Sequence, residues 1–395
     1  KFGFVGETTE YKLSDLFNLQ MGKTPSRNNA EFWSDGEYKW ISIADLTKTG
    51  KYISETKELL SQKAIDESGI AVIPTNTVVM SFKLSIGKTA ITSEDMYSNE
   101  AIMSFHDRHV TELLPEYIYY LLLAQRWDEG ANKAVMGMTQ NKATLSNRKV
   151  RIHSIIAQKS IVERLDKLQK LIDDRKTQLD ELETLIKARF VEMFGDPLAG
   201  TEKWSFQTVG DVADSVDPQP SHRTPPVVEG GIPYVSMKDC NYKNGTIDFA
   251  GARKVSPDVL VEHHNRYELH NGDFIIGKIG TIGNPIFVPK RDDYALSANV
   301  VLIQPNSSKV SPYFLKETFE SSFVERQFLD AKNSTSQAAF GIKKVRNIKI
   351  MNPDMKTQME FENFAIQVDK LKVEVQKSLD EMQILFDSLM QEYFG

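Results

Sequence analysis

The chain has one cysteine, Cys240, in 395 residues. That excludes an internal disulfide and a cysteine-based zinc cage. The thiol reads as a buried or neutral group in a reducing cytoplasm. Apolar runs such as IAVIP (70–74) are far too short to span a bilayer. The opening stretch KFGFVGETTEYKL has no apolar core of the kind a secretory signal carries. There is no cationic excess either: the formal net charge is −6. Because gripping phosphate takes cations, that balance argues against an extended nucleic-acid-binding surface. It leaves room for a local one, since Lys and Arg recur in the Gly-, Ser- and Asn-bearing loops GKTPSRN, SFKLSIGK, QPSHRTP and IGKIGTIGN.

Motifs for chemistry are also missing. GKT occurs at Gly22-Lys23-Thr24 and Gly87-Lys88-Thr89, but the glycine that a phosphate-cradling loop needs five residues earlier is Phe17 or Phe82. Gly277, Gly280 and Gly283 are spaced by three and lead into the β-type run PIFVP, so they read as a strand-to-strand turn. Asn352-Pro353-Asp354-Met355 lacks the second Pro and the aromatic of the Asn-Pro-Pro-aromatic motif of amino-methyltransferases, and reads as a link into a helix. His263 and His264 are adjacent, so their side chains diverge; they read as solvated loop histidines, not metal ligands. The chain reads as a binder without catalytic groups or cofactors of its own.

What is present is a duplication. Gln158 in IIAQKSIVERLDKL and Gln358 in MKTQMEFENF are 200 residues apart, and the offset holds without a gap until Phe194-Gly195 maps onto Phe394-Gly395. Both segments are charged, rich in Leu and Met, and almost free of Gly and Pro. Leu165, Leu168, Ile172, Leu179, Leu182 and Ile186 fall at a/d heptad spacing, with Arg175 and Arg189 as exceptions. In the second copy Ala365, Val368, Val375, Leu379, Met382, Phe386 and Leu389 take these places, and Lys372 interrupts them. Apolar seams of this length predict a coiled coil. At ~1.5 Å per residue, about 38 residues make a rod of roughly 57 Å. Gly195-Asp196-Pro197 stops the first copy.

Each helical segment follows a globular stretch of mixed α and β pattern. The first shows β-type runs at 38–43, 70–74, 77–82, 89–92 and 101–105, then a helix-like run at 115–127. The second repeats the order with 232–237, 273–279, 285–289, 299–303 and a helix-like run at 312–324. Islands of similarity link them: WISIADL (40–46) with YVSMKDC (234–240), SIGK (85–88) with TIGN (281–284), LPEYIYY (114–120) with VSPYFLK (310–316), and MTQN (138–141) with TSQA (335–338). The fold class is therefore α+β: two mixed globular domains, 1–150 and 198–350, separated by two long helices, 151–197 and 351–395, that pack on each other as a coiled coil.

The segment IIAQKSIVERLDKLQKLIDDRKTQLDELETLIKARFVEMFGDP resembles the central region of specificity subunits from type I restriction–modification enzymes, and the distal copy ending QILFDSLMQEYFG resembles their C-terminal region. The MTQN, TSQA, WISIADL and YVSMKDC segments are similar to parts of that family's target recognition domains. The resemblance covers the whole chain in family order. It implies a non-catalytic DNA-reading subunit in the cytoplasm, whose two recognition domains each read one half of a split site in double-stranded DNA and whose paired helices form an antiparallel coiled coil that acts as a ruler. It also implies two methyltransferase subunits that use S-adenosylmethionine on adenine, and restriction subunits that use ATP and Mg; those cofactors belong to the partners.

Direct readout needs polar side chains at base edges and cations at phosphates. Gln140, Asn141 and Lys142 in the first domain, and Thr281, Asn284, Ser336 and Gln337 in the second, are candidates for the former. Lys23, Arg27, Lys83, Lys88, Arg223 and Lys278 are candidates for the latter. A second reading draws on the acidic net charge: a coiled-coil scaffold with two protein-binding domains and no DNA role.

Overall fold

The computed structural model describes residues 6–127, 132–134, 137–139, 142–200, 203–219, 221, 223–242, 244–278, 283–333 and 341–395. The chain forms two compact units. One comprises Lys1–Ile172 with Glu381–Gly395, and the other Asp173–Asp380. The division runs through the two long helices, Ile155–Phe194 and Met355–Phe394, each of 40 residues. Among the described residues, no helix is long and apolar enough to cross a membrane.

The first unit is built on a five-stranded sheet in the order Phe17–Met21, Ile102–Asp107, Val78–Ser81, Thr89–Thr92, Tyr52–Ile53. Only the last pair is parallel. Val79, Met80, Ile91, Ile102 and Met103 are fully buried, as expected of central strands covered on both faces. A three-stranded sheet, Glu58–Leu60, Tyr38–Ile41, Tyr97–Ser98, lies beside it in sequence.

The second unit repeats this plan. A four-stranded antiparallel sheet runs Ala213–Val216, Val300–Pro305, Phe274–Gly277, Ile286–Phe287. A three-stranded sheet runs Arg253–Val255, Ile232–Val235, Ala295–Leu296. The central strand has one antiparallel and one parallel neighbour, as Tyr38–Ile41 does in the first unit. In both units a two-stranded pair joins the domain entrance to the strand before the long helix: Thr8–Lys12 with Lys149–His153, and Phe206–Thr208 with Lys349–Met351.

Two local details are duplicated as well. Ser42 donates its backbone N–H (2.8 Å) and its hydroxyl (2.6 Å) to Asp45 Oδ2, forming a capping box. Ser236 does the same with Asp239, at 2.8 Å in both bonds. Gly87 (φ +89°) and Gly283 (φ +90°) both lie in the left-handed region. A Cβ on either would meet an aromatic ring, Trp127 at 2.9 Å or Phe328 at 2.7 Å. Glycine is required there on both counts.

The long helices pack antiparallel within each unit. In the first, Tyr117 meets His153 and Phe394, with ring centroids 5.9 and 5.3 Å away. One turn on, Tyr120 bonds Asp166 and meets Phe386. Moving forward along one helix thus moves backward along the other. In the second unit Phe190 meets Phe361 at 5.5 Å, while the earlier residue Glu183 pairs with the later residue Lys372. Leu165, Leu168, Ile172 and Ile186 are buried on the first helix, and Ala365, Val368, Val375 and Leu389 on the second. Leu179, Leu182, Leu379, Met382 and Phe386 are half-buried. Arg175 bonds Gln178 within its helix, and Lys372 turns its break in the seam into an interhelical pair. The first helix ends at Gly195, at φ +83°.

One bond type anchors each domain to its helix. Gln158 is fully buried; its Oε1 accepts the N–H of Leu114 at 3.0 Å, and its Nε2 donates to the carbonyls of Glu112 and His153 at 2.9 Å. Gln358 is buried likewise; its Oε1 accepts the N–H of Ser311 at 2.9 Å, and its Nε2 donates to the Pro353 carbonyl at 2.9 Å. Leu114 and Ser311 are the N-cap residues of Pro115–Ala124 and Pro312–Glu320.

Some sequence expectations are corrected. IAVIP is not a strand: Ile73 makes a single bridge to Met96, and Pro74 together with the positive φ of Asn76 prevents extension into a ladder. The helix expected at 312–324 ends at Glu320, where Ser321 is extended, and a second helix starts at Ser322. His263 is not a solvated loop residue. It lies in the helix Pro257–His264, 1% exposed, with Nδ1 3.0 Å from the Tyr267 hydroxyl. Burial lowers its pKa to about 4.

Replacing Gln358 by Leu strands the Ser311 N–H and the Pro353 carbonyl in the interior. Each unsatisfied buried group costs about 1–3 kcal/mol of stability. Gln158→Leu should act the same way on the first unit. Urea unfolding followed by circular dichroism checks both; a midpoint unchanged in both variants would mean that these amides do not anchor the domains.

Candidate nucleic-acid interface

In the first unit the candidate cations lie on three segments. Lys23 and Arg27 follow the strand Phe17–Met21. The Lys23 backbone is fixed by its N–H to Ser98 O at 2.8 Å and by the Trp40 indole N–H to its carbonyl at 3.1 Å, while its ammonium donates to Ser68 O. Gly22 before it has no room for a side chain, since a Cβ would lie 2.3 Å from Asn99 O. Arg27 stacks over Trp33 at 3.7 Å and donates to both Glu58 oxygens, one at 3.0 Å. Its guanidinium is half-exposed. A guanidinium carries five donors, so donors remain beyond those given to Glu58. Both residues are thereby tied to the 58–68 segment.

Lys83 and Lys88 flank the turn that closes on Gly87. Lys83 lies along the Phe82 ring at 5.1 Å and starts the short strand Lys83–Leu84. That strand pairs with Gly137–Thr139, putting Thr139 opposite Lys83. The SFKLSIGK and MTQN islands, far apart in sequence, are therefore neighbours. Lys88 donates to the Thr47 hydroxyl in the helix Ile43–Lys48, which begins at the Ser42–Asp45 capping box. Three of the four sequence islands of the first domain thus meet around one turn. Lys142 is exposed at the start of the helix Lys142–Asn147. Gln140 and Asn141 lie outside the described residues.

In the second unit Arg223 is exposed, on a segment held by Arg253, whose guanidinium donates to Pro225 O at 2.8 and 3.2 Å. Asn284 is exposed beside Gly283. Lys278 departs from its expected role. It is 6% exposed, and its ammonium donates to Asp217 Oδ2 at 2.6 Å. A buried ammonium already paired with a carboxylate costs too much to pull away for a phosphate. Thr281, Ser336 and Gln337 lie outside the described residues.

The structure adds groups that sequence reasoning missed. Trp33 and Glu58 orient Arg27, Asp217 neutralises Lys278, and Arg253 fixes the Arg223 segment. No spacing rule links these partners. The one sequence signal was for the aromatics: Trp33 and Trp40 follow the basic loop GKTPSRN. The Cys240 thiol is half-buried and pushed up to about 11 by burial, so it is neutral at physiological pH. Asn352-Pro353-Asp354 is used structurally: Asp354 Oδ1 accepts the Thr357 N–H at 3.0 Å, and the Pro353 carbonyl takes the Gln358 amide.

Known proteins share this plan. The family described as type I restriction modification DNA specificity domain matches twice, at residues 6–184 and 201–381. The specificity subunit of the type I restriction enzyme MjaIX from Methanocaldococcus jannaschii is 26% identical over 189 residues, 47% of this chain and 43% of that protein. The EcoR124I/EcoR124II specificity subunit of Escherichia coli is 27% identical over 174 residues, 42% of each chain. The EcoBI specificity subunit is 19% identical over 284 residues, 64% of this chain and 58% of the other. The matches span about half the length of these relatives. The crystal structure of the type I restriction–modification S subunit from M. genitalium aligns over 100% of this chain and 98% of its own, with a TM-score of 0.58 at 14% identity. At that identity the likeness speaks for the fold. With both of its globular stretches matched, the chain belongs to the type I restriction–modification DNA specificity family and carries that family's domain twice.

Proposed function

We propose that this chain is the non-catalytic specificity subunit of a type I restriction–modification complex. Each recognition domain reads one half of a bipartite site in double-stranded DNA, and the paired helices set the distance between the halves. The observation that carries the reading is the duplication of one frame, with its capping boxes, glycine turns and buried glutamines, beneath loops of different sequence. A repeated scaffold with divergent loops suits two related readers of two different sequences.

The candidate contacts divide by role. Lys23, Arg27, Lys83, Lys88 and Arg223 are the candidates for gripping phosphates, which fixes register without reading sequence. Gln140, Asn141, Lys142, Thr281, Asn284, Ser336 and Gln337 are the base-reading candidates; Gln and Asn can pair bidentately with adenine in the major groove. The adenine methylation itself, with S-adenosylmethionine, belongs to two methyltransferase subunits docked on this chain, and ATP and Mg to restriction subunits. Support for docking comes from apolar side chains left uncovered on the long helices, among them Val373 (66% exposed) and Ile384 (69%). Exposed apolar side chains grouped on one element mark interaction sites.

If each domain reads one half-site, exchanging residues 1–150 for another family member's domain should change one half of the methylated motif and keep the other. Sequencing of modified adenines in cells carrying the chimera checks this. A swap that alters both halves, with the complex intact, contradicts independent reading.

If the helices are the ruler, half-sites about one turn of DNA apart, ~34 Å, are read from one face. Inserting four residues after Arg175 adds roughly 6 Å of helix. The insertion should change the spacer or abolish binding while the half-site sequences stay the same. An unchanged spacer with full activity would mean that something else sets the distance. Equal binding to any DNA, or to none, would favour the scaffold reading.

A further inference from the structure

The second unit holds a cleft of about 980 Å³ against its helix segments. Its walls include Phe287, Tyr313 and Phe319, and its charges are unbalanced. Lys372 pairs with Glu183 at 2.6 Å and lies 3.8 Å from Asp369. Lys187 lies between Glu183 (3.8 Å) and Glu320 (3.7 Å), and Lys316 pairs with Glu320. These three ammoniums serve three carboxylates. A fourth carboxylate, Glu317, also lines the cleft; it is 5% exposed and, among the described residues, makes no ion pair. Burial and the neighbouring Glu320 push its pKa up to about 7. A buried carboxylate without a partner is costly, and a cation in the cleft would remove that cost.

The first unit shows how the frame supplies such a cation. Lys51 follows Gly50, just beyond the Ser42–Asp45 capping box. Its ammonium pairs with Asp166 and lies 4.9 Å from the Tyr120 ring, and Tyr120 donates to the same Asp166 oxygen at 2.5 Å. The corresponding places in the second unit are readable from the shared frame. Tyr120 and Glu317 stand at the same distance from the prolines that open their helices, Pro115 and Pro312. Thr246 follows Gly245 beyond the Ser236–Asp239 capping box, as Lys51 follows Gly50. Thr246 lines the cleft. Where the first unit brings Lys51, the second has a threonine; its own Lys316 lies 5.9 Å from the Phe287 ring but pairs with Glu320, which leaves Glu317 as a spare carboxylate in the cleft.

We propose that this cleft binds a primary alkylammonium from outside the chain, with its charged end at Glu317 and its methylene stem against Tyr313 and Phe287. Aromatic faces attract such cations. With Glu325 and Asp380 the lining carries six carboxylates against four ammoniums, Lys187, Lys316, Lys372 and Lys377, and that excess draws the ligand in. A metal ion suits the site less well: among the described residues, no three His, Cys, Asp or Glu side chains converge to hold one. The site stands independently of the DNA-reading role.

The test is calorimetric titration of the full chain with cadaverine at constant ionic strength, with KCl as the control. Saturable one-to-one binding is expected, weakening as pH falls from 8 to 6 because Glu317 takes up a proton. Glu317→Gln should lower the affinity at least ten-fold. Thr246→Lys should supply the ammonium internally, abolish cadaverine binding and raise the melting temperature. It also tests the site should the Gln variant fail to fold. The proposal is overturned if the wild type binds cadaverine no better than KCl, or if Thr246→Lys binds it as the wild type does.

Discussion

A buried carboxamide ties each recognition domain to its long helix at the point where the domain helix begins, and the contacts around that point follow from where the amide sits. A glutamine has both a donor and an acceptor, so it can close two backbone accounts at once. Gln158 and Gln358 accept the N–H at the start of a domain helix and donate to the carbonyl chain leading into their own helix. That fixes the entry of Pro115–Ala124 and Pro312–Glu320 against the helical segments. It places Tyr117 on Phe394 and, equivalently, Phe314 on Phe194, with ring centroids 5.3 and 4.7 Å apart. The sheets then pack behind those helices, and the loops that carry Lys83, Lys88, Asn284 and Arg223 hang from the sheets.

Beyond the amide, the two units use different chemistry in equivalent places. The first surrounds one lysine with tyrosines and a single aspartate. The second holds a network of lysines and carboxylates on the same faces. Buried ion pairs add little net stability over an apolar contact, because desolvation offsets the attraction. Losing one partner is what costs. The second unit is therefore the more sensitive of the two to protonation and to single charge changes.

How much of this was legible in sequence depended on range. The long helices were readable because heptad spacing and the lack of Gly and Pro act locally. The matched Ser42…Asp45 and Ser236…Asp239 spacing was visible in WISIADL and YVSMKDC, and the fold shows that it forms a capping box in both units. The pairing of Thr8–Lys12 with Lys149–His153 was not, because nothing near either strand names its partner. IAVIP carried strand composition, yet Pro74 limits it to one bridge. Among the candidate contacts, Arg27 and Lys278 looked alike as basic loop residues. Only the fold shows Arg27 half-exposed over Trp33 and Lys278 buried on Asp217. His263 was misread because its partner Tyr267, one turn on, lies just past the end of its helix.

The central claim is that this chain chooses the DNA sequence for an adenine methyltransferase. The most direct measurement compares genome-wide adenine methylation in cells that carry the methyltransferase partner, with and without the gene for this chain. The account predicts one split motif, two fixed half-sites around an unspecified spacer, methylated only when the gene is present. An identical methylation pattern in both strains would contradict it, and so would a motif without a spacer.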